Sequence, residues 1–89
     1  MREKAIQRLL ENWRSLVKNG EFDAEEMIES LTEQVEHASQ GWDASLEEFE
    51  SDPELYDIMG YNEDLTDEQV DEWQKIVEEA ARMYLNEAA

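Results

Sequence analysis

Apolar residues recur along this chain at steps of three and four, and nowhere do they alternate with polar ones for long enough to make a strand. That pattern confines the chain to helices, and 89 residues confine it to one domain. Ile6, Leu9, Leu10, Trp13, Leu16 and Val17 share one face of a helix predicted over residues 3–18, which Asn19 and Gly20 bring to a stop. Asp23 with Glu26 reads as a capping box, and Phe22 with Met27 as its hydrophobic staple. They open a second helix over 24–39, apolar at Ala24, Met27, Ile28, Leu31, Val35 and Ala38 and closed by Gly41. A second box, Thr66 with Gln69, and a second staple, Leu65 with Val70, open a third long helix over 67–87. Its apolar side runs from Val70 and Trp73 to Tyr84 and Leu85.

Shorter signals lie between the second and third long helices. Ser45 with Glu48 caps a brief helix that must stop near Asp52, because the following Pro53 disfavours the helical region there. Asp52 and Pro53 then read as N-cap and N1 of another turn or two, ended by Gly60, with residues 60–64 as an exposed loop. The expected fold is an all-α small helical bundle of three long helices plus one or two short ones, a single domain over 1–89.

The charge could argue against any fold. Twenty-five acids against seven cations leave −18, and high net charge marks chains that do not collapse. Against this, 40% of residues are apolar and placed at helical spacing, with three Trp, three Tyr and two Phe as large core fillers. A folded domain is expected. The absence of cysteine excludes disulfides, thiolate metal sites and a cysteine nucleophile, and makes a reducing, cytoplasmic setting the default expectation. Neither a signal peptide nor a membrane span is expected. Such a charge repels phosphates and anionic lipids, so direct binding to nucleic acid or membrane is not expected, and a partner should be basic.

How the charge is laid out says more than its sum. Residues 1–20 hold five cations and two acids, whereas residues 21–74 hold twenty acids and no Lys or Arg at all. Residues 75–89 add three acids and two cations. In the last helix Asp71 precedes Lys75 and Glu78 precedes Arg82 at the favourable four-residue spacing. The second helix has no such relief. Glu25, Glu29 and Glu33 form a ladder flanked by Glu26 and Glu36, each like-charge neighbour costing roughly 0.2–0.5 kcal/mol. Further along stand Asp43, Glu47, Glu48 and Glu50, with Trp42 at the junction after Gly41. These ten residues are the candidate partner-binding set. Trp42 is read either as a staple of that junction or as an aromatic anchor in an interface.

With its Leu9-Leu10-Glu11-Asn12-Trp13-Arg14 first helix, acidic second helix and His37 to Phe49 stretch, the chain resembles the phage-type acidic DNA mimics, the Ocr-like anti-restriction and anti-CRISPR class. The resemblance lies in composition and helical organisation. It implies that the carboxylates act as phosphate surrogates toward a restriction enzyme, a CRISPR effector or another basic nucleic-acid-binding protein. The basic first helix departs from that pattern. Bacteriocin-type immunity proteins, also short, acidic and helical, are similar too and imply a nuclease toxin as partner. A third reading is a structural or adaptor bundle whose acids only solvate it. Oligomeric state is left open, a homodimer included.

Other motifs fail on their own terms. Placing Asn62, Asp64 and Thr66 at positions 1, 3 and 5 of a calcium loop puts Asp67 where glycine is required and Trp73 where glutamate is. Asp43-Ala44-Ser45-Leu46 splits the Asp-Ser-Leu of an acyl carrier with Ala44. His37 is the single histidine and stands off the apolar stripe of its helix. No catalytic residue, metal ligand or cofactor is expected, and the chain is not expected to be an enzyme.

Overall fold

The computed structural model describes residues 2–41 and 47–88, Glu47 in its backbone alone. Among these described residues five helices form: α1 over Arg2–Lys18, α2 over Ala24–Ser39, α3 over Glu47–Ser51, α4 over Glu54–Met59 and α5 over Asp67–Ala88. No strand occurs among the described residues, so the protein is all-α. No described helix is long and apolar enough to cross a membrane.

α5 organises the rest. Its 22 residues, at about 1.5 Å each, match the 33 Å long dimension of the molecule. Trp73, Ile76, Val77, Ala80 and Ala81 along it are completely buried. Both α1 and α2 pack along this helix, while they touch one another only over a short stretch. The small side chains of Ala80 and Ala81, with Ala5 on α1, are among the buried residues of that core. α4 lies on α1, and α3 lies on α4.

The two short helices exist to deliver aromatic rings. Phe49 of α3 stacks on Tyr56 of α4 with centroids 4.4 Å apart, and tilts against Trp73 of α5 at 4.3 Å. Gly60 then adopts the left-handed φ of +70° that an L side chain resists, which lets Tyr61 N–H reach back to the Tyr56 carbonyl at 2.9 Å. This turn directs Tyr61 inward. Residues 60–64 were expected to form an exposed loop, yet Tyr61 is buried, and its hydroxyl donates to Glu72 at 2.8 Å. Burial, and then the Glu72 carboxylate, push that phenol above the ordinary tyrosine range. Asn62, Glu63 and Asp64 are exposed as expected.

The two expected capping boxes fare differently. At α5, Gln69 N–H donates to Thr66 Oγ1 at 3.2 Å and Thr66 N–H donates to Gln69 Oε1 at 3.0 Å, the full reciprocal box. At α2, Asp23 has the extended backbone of an N-cap, but its side chain makes no cap hydrogen bond. The first turn of α2 is exposed, so water can satisfy its free N–H groups. Phe22, expected to staple this end shut, remains 40% exposed.

Candidate protein-binding surface

The site begins with what α1 does with its arginines. Arg2 pairs with Glu79 at 2.9 Å and Arg14 with Glu87 at 2.6 Å, both acids on α5. Arg8 reaches the other way. Its Nε and Nη2 donate to the two oxygens of Asp52, the latter at 3.1 Å, and Nη2 also lies 3.0 Å from Glu54. Asn12, one helical turn from Arg8, donates to the same Asp52 carboxylate at 2.9 Å. Asp52 is the one buried charged residue among those described, and its charge is fully answered. The Arg8 guanidinium, first through its hydrogen bond, holds this carboxyl below the ordinary aspartate range, and Asn12 adds to the effect. Asp52 was expected to cap α4, and its carboxylate does accept from the Glu54 backbone while Pro53 already holds helical angles; the same side chain also ties the α3–α4 junction to α1.

The three arginines of the basic first helix are thus turned onto the molecule's own acids. α5 is likewise partly self-neutralised, with Glu78 and Arg82 paired at 3.3 Å; Asp71 and Lys75, expected to pair, make no ion pair. α2 stands apart. Glu25, Glu26, Glu29, Glu33 and Glu36 are all exposed, and none pairs with Lys or Arg. Glu25 and Glu26 sit in the first turn, where the helix dipole favours anions. Glu29, Glu33 and Glu36 receive no such help. Among the described residues no three acids or histidines converge closely enough to hold a metal ion.

The rest of the candidate set divides. Glu50 on α3 is exposed. Glu48, expected to face a partner, is instead half-buried with one carboxylate oxygen closed off from solvent. It turns toward the gap between α1 and α2 because α3 lies over that end of the bundle. Trp42 and Asp43 lie outside the described residues, as does the side chain of Glu47. Trp13 and Trp73 are core, as their helix faces predicted; Trp13 meets Tyr84 edge-on at 6.2 Å. The indole N–H of Trp73 is buried without a hydrogen bond.

One feature has no counterpart in the sequence reading. Because α1 and α2 both pack on α5 rather than on each other, a cleft of about 300 Å³ opens between them beside α3. Its apolar lining comes from Leu9, Trp13 and Leu16 of α1 and Met27 and Leu31 of α2, with Phe22 alongside; Leu9, Trp13, Met27 and Leu31 are at most 6% exposed, so Leu16 and Phe22 supply most of the open apolar surface. Ser30 and Gln34 of α2 add polar groups. Each helix alone shows only an amphipathic stripe; no periodicity tells that two stripes will fail to close on one another. No protein-family profile, curated protein or solved structure matches the chain.

Proposed function

We propose that this chain is a non-enzymatic inhibitor that occupies the nucleic-acid-binding site of a basic protein of restriction or CRISPR type. It would act by presenting carboxylates where that protein expects phosphates. The observation that carries this reading is the contrast between α1 and α2: the arginines of α1 are spent internally, whereas five α2 carboxylates face solvent without a cation. From Glu25 to Glu36 the row extends about 16 Å on a rigid helix, at about 1.5 Å per residue. Pairing of Arg2, Arg8 and Arg14 with acids supports the reading by lowering the positive charge that α1 offers, which leaves Lys4 and Lys18 as its exposed cations without an ion pair.

The test is inhibition of a panel of purified restriction and CRISPR nucleases, with duplex DNA as competitor and salt as variable. Inhibition should set in fast, weaken steeply between about 20 and 300 mM salt, and be relieved by DNA. Reversing Glu25, Glu29 and Glu33 to Lys should abolish it with helical content intact, because Lys is a good helix former and the apolar face is untouched. Reversing the exposed loop acids Glu63 and Asp64 should do much less. Potency that survives the triple reversal overturns the reading. So does a complex that still binds DNA normally, which is the behaviour of an immunity protein seated away from the nucleic-acid groove.

A further inference from the structure

The cleft between α1 and α2 is placed where the uncompensated charge is. Ser30 lines it, and Glu26 and Glu33 stand four residues before and three after Ser30, on the same row of α2. Glu25, Glu29 and Glu36 face further round the helix, away from the core. The α2 acids therefore make two different surfaces, a row on the outer face and a pair along the rim of an apolar cleft.

From this we infer that the cleft is a docking site for a basic amphipathic segment of the partner protein. Its apolar side chains enter between α1 and α2, and its Lys or Arg residues meet Glu26 and Glu33. Charge complementarity selects this occupant. An apolar floor bordered by fixed carboxylates rejects anionic and acidic ligands, and an apolar peptide without cations would leave the rim charges beside low-dielectric surface. The floor supplies what the carboxylates lack, a hydrophobic anchor point. Anchors of this kind carry most of the affinity in protein interfaces, while exposed charge chiefly sets on-rate. At about 300 Å³ the opening is at the small end of ligand pockets, enough for the anchoring side chains of a helix. The inference rests on the proposed function in one respect, that the partner is basic.

The experiment uses the full chain and two amidated helical peptides of equal positive charge. One carries Leu at i, i+3, i+4 and i+7; the other carries Ser at those positions. Fluorescence anisotropy of labelled peptide reads affinity for each. The Leu peptide should bind about tenfold tighter or more, the value of burying an apolar side chain. Ser30→Trp, which fills the cleft from an exposed position, should bring the two peptides to parity without weakening the Ser peptide. Phe22→Ala should narrow the gap as well, and the exposure of Phe22 makes that variant safe for folding. Glu26→Gln with Glu33→Gln should weaken both peptides.

Equal binding of the two peptides to the unaltered chain overturns the cleft as a docking site but leaves the acidic surface standing. Binding of neither peptide overturns both the cleft and the basic-partner reading. A Leu preference that persists in Ser30→Trp places the contact elsewhere and also overturns the inference. So does sedimentation showing a dimer that Ser30→Trp dissociates, since a second copy of the chain would then be the occupant.

Discussion

Asp52 shows how a single residue can serve its neighbours in sequence and its neighbours in space at once. Preceding Pro53, it has the pattern of a helix N-cap and accepts from the Glu54 backbone, and the same carboxylate also takes hydrogen bonds from Arg8 and Asn12 on a helix forty residues away. The partners were visible in retrospect, since Arg8 and Asn12 are four apart and so share one row of α1. What hid them was their target. Replacing Asp52 by Ala should cost about 1–3 kcal/mol, because a charged hydrogen-bond acceptor disappears while Asn12 and Arg8 remain beside it. The pH dependence has a definite sign. A carboxyl held below its unfolded value stabilises the fold at all pH above that value and loses the contribution as pH falls through the folded one. Chemical denaturation of the parent and of Asp52→Asn should therefore show a constant stability difference from pH 7 to 5. Below about pH 4, the ordinary aspartate range, the difference should shrink.

At the scale of the element, α2 is the helix whose surface is least well suited to its own stability. The dipole rewards Glu25 and Glu26 at its start, but by the same argument it penalises Glu36 near its end. Glu29 and Glu33 add repulsion at four-residue spacing. Glu36→Lys should thus stabilise the protein by a few tenths of a kcal/mol, up to about 1. Thermal unfolding followed by circular dichroism would register the gain. The same change should weaken binding to a basic partner, and a variant that gained stability while keeping full potency would show Glu36 to be only a solvating charge. α5 offers the contrast. Its start is fixed by a complete capping box, its later acids Glu78, Glu79 and Glu87 are each paired with an arginine, and Trp73, Ile76, Val77, Ala80 and Ala81 of its apolar face are fully buried.

For the molecule as a whole, the arginine pairs Arg2–Glu79 and Arg14–Glu87 are exposed and contribute little stability individually. Their effect is on the shape of the electric field. By drawing the three arginines of α1 against α5 and the α3–α4 junction, they leave the acids of α2, like those from Asp57 to Glu72, without a neutralising cation in a molecule carrying −18. Self-repulsion on that scale destabilises the compact state and is screened by salt. The midpoint of thermal unfolding should therefore rise between about 20 and 300 mM sodium chloride. A midpoint that stayed flat or fell would mean that the pairs broken by screening outweigh the repulsion relieved.

Much of this architecture was legible in residues close together along the chain. Helix faces, the stop at Gly20, the break at Asp52 and Pro53, the left-handed turn at Gly60 and the capping box of Thr66 and Gln69 all depend on contacts within a few residues, which spacing and residue type express directly. So did the run of twenty acids without a Lys or Arg. Three things depended on which helix meets which, and sequence spacing carries no term for that. The arginines of α1 could be counted but not assigned to Asp52, Glu79 and Glu87 until α1 was laid against α5 and α4. Tyr61 turned inward only because Phe49 and Glu72 were there to receive it. The cleft exists because α5 is the common partner of α1 and α2, so that the two helices share a core with it but touch one another only over a short stretch.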